Sequence, residues 1–198
     1  HVLVHKLREP VETPSVSTRP TAPGPTDPFE GAQTPRRVPR TFSSSDALPR
    51  KRILTQRHLD HFSTTTAFSE ILGMIRTCNE AIKGKKLNEN VGESVPIKAV
   101  LHIVAQVRTL VDETPRDTES AQNSRFGNPA FRELYKKIVE HVDTWMQSLP
   151  GLEHDARARQ ELAVYFNEAW GNAKRIDYGS GMELNFLCWL LCLVKLGV

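Results

Sequence analysis

Residues 175–183 of the 198-residue chain read RIDYGSGME and concentrate side chains able to do chemistry. Arg175 offers a planar, permanently charged fork suited to phosphate or carboxylate oxygens. Gly179 and Gly181 flank Ser180, and this spacing predicts backbone with positive φ that approaches another molecule closely and aims its N–H groups at an anion. The apolar run that follows predicts a helix whose positive dipole end meets the same anion. Asp177 and Glu183 add negative charge, as suits a magnesium-bound nucleotide or the orienting of Arg175. The plainer alternative is a tight turn in which Arg175 and Asp177 pair with each other. Ser180 is no nucleophile elbow, because the spacing is not G-x-S-x-G and no histidine partner is in register.

Three further strings carry surface chemistry. SRFGN at 124–128 sets Arg125 and Phe126 before Gly127 and Asn128, a glycine turn and a helix cap, with Arg125 either a surface contact or solvated. CNEAIKGKKL at 78–87 ends in Lys83, Lys85 and Lys86, which suit a partner contact or simply a solvated helix C-terminus. VDETP at 111–115 places Asp112 and Glu113 where they pair with such lysines or cap a turn. The histidines lack ligand spacing, so no metal site built from this chain is expected, and Cys78, Cys188 and Cys192 form no CxxC pair. Cys188 and Cys192, one helical turn apart in an apolar run, read as small hydrophobes, and a reducing compartment fits them.

The elements that must position these groups are helical. Residues 1–52 hold nine Lys or Arg against five acids, and residues 1–50 nine of the 13 prolines, which predicts a disordered tail. Its Ser43, Ser44 and Ser45 near arginines are candidate phosphorylation sites. From residue 53 onward the charge is nearly balanced, seventeen against eighteen, which argues against a nucleic-acid-binding face. Order is expected to begin near Ile53, with Thr55 as an N-cap. One amphipathic helix runs through Phe68, Ile71, Leu72, Ile75, Cys78 and Ile82 to a left-handed cap at Gly84. A second opens at Pro96 and is expected to present Ile97, Val100, Leu101, Val104, Val107 and Val111 on one face. A third opens at Asn128-Pro129 and carries Phe131, Leu134, Tyr135, Ile138, Val142, Trp145, Met146 and Leu149. A fourth carries Leu162, Tyr165, Phe166 and Trp170 and closes at Gly171-Asn172. The apolar residues 184–198 make a fifth, too short for a bilayer span and read as a buried helix. The fold class is therefore all-α, with residues 53–198 forming a helical domain after the tail.

Taken in order, CNEAIKGKKL, VDETP, SRFGN and RIDYGSGME resemble the phosphotyrosyl phosphatase activator family, over residues 53–198. The resemblance implies an all-helical activator of type 2A serine/threonine phosphatases that binds the catalytic subunit, uses ATP and magnesium, and acts as a peptidyl-prolyl cis-trans isomerase. It implies nucleotide contacts at Arg175, Ser180 and Gly181. Around them it implies a cleft for phosphatase and proline-containing peptide drawn from Arg125, Phe126, Gly127, Asn128, Asp177, Tyr178, Gly179 and Glu183. The family's usual Thr is Ser180 here, which keeps the hydroxyl, and its usual His is Met182, which removes a polar group. Family members continue for about as much chain again and take further nucleotide and magnesium contacts from it, so an N-terminal portion is expected. Prolyl isomerisation needs no covalent catalyst and names no catalytic residue. A cytoplasmic location is implied, with a nuclear share left open. The competing readings are a non-enzymatic regulatory subunit of the phosphatase and an inactive shortened product.

Overall fold

The computed structural model describes residues 48–86, 89, 92–116 and 127–198. The tail through residue 47, with its expected disorder and candidate phosphoserines, lies outside the described residues. Six helices and no strand occur among the described residues: α1 Gln56–Ser63, α2 Thr66–Ile82, α3 Val95–Asp112, α4 Phe131–Gln147, α5 Ala156–Asn167 and α6 Ser180–Leu196.

Local chemistry explains most of the boundaries. Thr55, Thr65, Ser94 and Asp155 each accept a backbone N–H from the first turn of the helix they precede, the N-cap interaction that short polar side chains provide. Gly84 after α2, Gly151 after α4 and Gly197 after α6 take positive φ, where a Cβ would be strained. Thr64-Thr65 splits the first helical stretch into α1 and α2, a break the periodic pattern did not reveal.

The core lies where α4 meets α3 and α5, and α5 meets α6. Helix α4 supplies Ile138, Val142, Trp145 and Met146, one stripe at three- and four-residue spacing, and Leu149 beyond its end continues it. Phe166 of α5 is fully buried, its ring 5.9 Å from that of Trp145 and 4.9 Å from that of Trp189 of α6, both edge to face. The Trp189 indole N–H donates to the Met146 Sδ at 3.3 Å, so this buried donor keeps a partner. Helix α2 has no fully buried residue and touches α1 and α6.

Two expectations need correction. The buried face of α3 is Ile103, Val107 and Leu110, while Ile97, Leu101 and Val111 are exposed. Apolar residues surround most of α3, so periodicity alone does not pick the face; packing against α4 does. Helix α6 begins at Ser180 rather than near Leu184, which moves Ser180, Gly181 and Glu183 from a loop into a first helical turn. No described helix is long and apolar enough to cross a membrane. Cys188 and Cys192 are half-buried on α6, in keeping with their reading as small hydrophobes.

Candidate functional site

The loop between α5 and α6 is built from its own polar backbone. Asn172 starts it: its Oδ1 accepts the N–H groups of Lys174 at 3.1 Å and Arg175 at 2.9 Å, and its C=O accepts the Ile176 N–H at 2.7 Å. This is how an asparagine side chain organises a turn. The Asn172 N–H in turn donates to the Asp177 C=O at 3.0 Å, closing an isolated antiparallel bridge. To make this tight return Ile176 takes φ of 53°, a left-handed value uncommon for a β-branched residue. The positive φ expected at Gly179 and Gly181 is therefore found at Ile176 instead. Gly179 is extended at φ −172°, caps α6, and has open space where a Cβ would sit, as does Gly181.

Two other glycines hold the loop against α4. A Cβ on Gly127, at φ +50°, would stand 2.8 Å from both Cγ2 and the carbonyl oxygen of Ile176. One on Gly171, at φ +130°, would stand 2.8 Å from the Phe131 ring and 3.1 Å from the Asp177 carbonyl oxygen. Arg132 of α4 donates from Nε to the Ala173 C=O at 3.1 Å. Asn128 Oδ1 accepts the Ala130 N–H, so it caps a turn and the helix proper starts at Phe131, slightly later than the cap pattern suggests. The SRFGN and RIDYGSGME strings thus meet in space through Gly127. Arg125 and Phe126 lie outside the described residues.

Arg175 and Asp177 form a two-bonded pair: Nε to Oδ2 at 2.6 Å and Nη2 to Oδ1 at 3.1 Å. The Arg175 guanidinium holds the Asp177 carboxyl below its ordinary value, and the same bond raises the arginine. Both side chains are exposed, so the pair orients the guanidinium more than it stabilises the fold. Beyond them α6 presents the Ser180 and Gly181 amides and the Ser180 hydroxyl, ahead of the first backbone bonds from Met182 and Glu183 back to the Gly179 C=O. Glu183, an acid in that first turn, complements the helix dipole.

Arg175, Asp177, Ser180 and Gly181 edge a pocket of about 390 Å³ that also draws in Lys51, Glu168 and Asn185. Lys51 reaches Glu168 at 3.2 Å across it. The pocket combines a guanidinium and an ammonium, each paired with a carboxylate, with the Ser180 hydroxyl and a glycine-flanked helix terminus with no Cβ in the way, while Glu183 does not line it. Arg175, Ser180 and Gly181 are thereby brought together as expected, alongside Asp177, Tyr178 and Gly179. The lysine string does not join them: Lys83 pairs with Glu80, and Lys85 and Lys86 are exposed. Asp112 faces Arg108 and Glu113 caps α3, so neither meets those lysines, while Thr114 accepts from Lys137 of α4 at 3.1 Å. Lys51 and Glu168 escaped the sequence reading, which takes Asn172 only as part of a helix end. The Gly-Asn pair at the end of α5 signalled Asn172 as a turn former, whereas Lys51 and Glu168 carry no local signal.

Known proteins resemble this chain over most of its length. The model of a family described as phosphotyrosyl phosphate activator (PTPA) protein matches residues 49–198. A serine/threonine-protein phosphatase 2A activator 2 of Mycosarcoma maydis is 51% identical over 154 residues, covering 76% of this chain and 34% of that protein. The protein of the same name from Cryptococcus neoformans is 44% identical over 164 residues, covering 83% and 41%. The crystal structure of the PP2A phosphatase activator Ypa1 superposes with a TM-score of 0.67 at 27% identity, covering 76% of this chain and 48% of that one. The chain spans less than half the length of these relatives.

Proposed function

The chain belongs to the phosphotyrosyl phosphatase activator family, and from that premise we propose that it acts as an activator of type 2A serine/threonine phosphatases through the loop at residues 172–183. The observation that carries the proposal is the Arg175–Asp177 pair, exposed at the mouth of the α6 N-terminus and held there by Asn172 and two tightly packed glycines. The core does not require that arrangement, and although the pair also fits a plain tight turn, an exposed and oriented guanidinium suits an anionic partner surface.

Within this reading the loop divides its labour. Arg175, with Lys51 beside it, attracts anionic oxygens, Asp177 fixes the guanidinium plane, and the Ser180 and Gly181 amides add neutral donors. Magnesium-ATP, when bound, supplies a polyanion with hydrolysable phosphoanhydride bonds, and Arg175, Ser180 and Gly181 are the residues of this chain that would hold its phosphates. Tyr178, 61% exposed, offers an apolar face to a peptide of the phosphatase catalytic subunit. Peptidyl-prolyl isomerisation at that face needs no acid or base: the barrier of roughly 20 kcal/mol falls when an apolar surface holds the rotated imide better than the planar one.

The exposure of Tyr178 and the shallow setting of the loop also favour a second reading, a regulatory subunit that grips the phosphatase without enzymatic action of its own. A proline-peptide isomerisation assay on the purified chain separates the two, with rates at the uncatalysed background supporting the subunit. The activator reading itself is tested by phosphatase turnover of the type 2A catalytic subunit with ATP and magnesium, with and without the chain. The expected result is a stimulation that Arg175→Ala removes; stimulation unaffected by Arg175→Ala would sink the role given to the loop.

A further inference from the structure

Next to the loop lies a second and larger cavity, of about 800 Å³, between the segment 49–54 and helix α5. Its floor is apolar: Ile53 and Leu54 from the segment, Phe62 from α1, Val164 and Tyr165 from α5. Its rim is basic, because Arg50, Lys51 and Arg52 are consecutive and all three line it against the single acid Glu168. Lys51 is engaged by Glu168, while Arg50 and Arg52 are exposed and form no ion pair among the described residues. Ile53 and Leu54 leave 47% and 73% of their surface in water, so the floor is incompletely covered. The main chain of Arg50, Arg52 and Ile53 makes no hydrogen bond among the described residues, and the segment is neither helix nor turn.

Together these features specify an occupant. An apolar floor calls for a bulky aliphatic or aromatic side chain, and a rim with two guanidinium groups unpaired among the described residues calls for carboxylates beside it. Unpaired N–H and C=O groups along an irregular segment call for an extended backbone, which an acyl chain or a small anion does not offer. We infer that this cavity binds an extended acidic peptide segment of a partner protein, with an apolar residue seated on Val164 and Tyr165 and acidic neighbours on Arg50 and Arg52. Because Lys51, Glu168 and Asn185 line both this cavity and the pocket at the 172–183 loop, the two form one surface, and a peptide held here delivers its continuation to Arg175 and Tyr178. The inference rests on the activator reading only for which protein supplies the peptide.

The test uses a fluorescein-labelled ten-residue peptide with a central Leu-Phe pair flanked on each side by two aspartates, titrated with the full chain and followed by anisotropy. Saturable binding that weakens as NaCl rises is expected. Replacing the aspartates with asparagines, or the Leu-Phe pair with serines, is expected to weaken it about tenfold each. Arg50→Ala with Arg52→Ala in the chain should match the asparagine peptide, at roughly tenfold. Leu54→Ser, at a largely exposed position that leaves the core untouched, should match the serine peptide. Lys98→Glu on α3 should change nothing. Absent binding, or binding indifferent to the aspartates and to Arg50 and Arg52, overturns the inference. So does a concentration-dependent dimer in sedimentation that Leu54→Ser abolishes, which would assign the cavity to a second copy of the chain. No phosphatase is present in the assay, so its failure leaves the activator reading standing, while failed phosphatase stimulation leaves the peptide result intact.

Discussion

Replacing Gly171 with alanine tests whether the backbone geometry of the loop is set by steric necessity. Two costs add. An L-residue at φ +130° is strained by about 1–3 kcal/mol. The new methyl would also stand 2.8 Å from the Phe131 ring and 3.1 Å from the Asp177 carbonyl oxygen. The half-buried ring can tilt, but the carbonyl belongs to the Asn172–Asp177 bridge and moves only by weakening the 3.0 Å hydrogen bond from Asn172, worth about 1 kcal/mol. The sum is about 2–4 kcal/mol, a large share of the 5–15 kcal/mol that typically separates folded from unfolded chains. With a urea slope of about 2 kcal/mol per molar, the unfolding midpoint should fall by roughly 1–2 M. Gly181→Ala is the matched control: its Cβ would meet open space and it lies in the first turn of α6, so its midpoint should hold or rise slightly. A fall under roughly 0.3 M in Gly171→Ala, or equal losses from both substitutions, would show that contact at Gly171 does not set the loop backbone.

Removing the Asn172 side chain by Asn172→Ala deletes the acceptor for the Lys174 and Arg175 N–H groups; amide exchange at those two positions should accelerate about tenfold while the α4 core keeps its protection, and unchanged rates would show that the side chain does not shape the turn. Asp177 should titrate below its ordinary 3.8 because Arg175 stabilises the carboxylate, so whatever the pair contributes is present above that pH and is lost as pH falls through the folded-state value; carboxyl NMR should show the midpoint return to the ordinary range in Arg175→Ala. Tyr165, pushed up to about 12 from 10.0 chiefly by burial and next by Cys192, favours folding below pH 10 and loses that contribution as pH climbs toward 12; Tyr165→Phe should flatten this part of the alkaline unfolding curve, and an unaltered curve would contradict the burial argument.

The contrast between α4 and α3 shows what the sequence made legible. Polar residues separate the apolar stripe of α4, so Ile138, Val142, Trp145 and Met146 could be named from spacing alone, and the structure buries them. On α3 apolar residues surround the helix, and only the position of α4 decides that Ile103 and Leu110 turn inward. The loop repeats the lesson. Its charged and small residues marked it, and Arg175 does orient on Asp177, but Gly-Ser-Gly spacing suggested left-handed backbone where the chain is extended and helical. The glycines that geometry demands are Gly127 and Gly171, because their neighbours Ile176 and Phe131 come from segments remote in sequence. Lys51 reaches the site by the same long-range route, against Glu168.

The most direct test of the loop's role is calorimetric titration of the chain with a purified type 2A catalytic subunit, in parallel with Arg175→Ala and Tyr178→Ala. Saturable binding by the unaltered chain that either substitution weakens at least tenfold, with unfolding midpoints unchanged, is the expected result. Equal binding by all three would place the phosphatase contacts elsewhere and contradict the assignment of the 172–183 loop as the working surface.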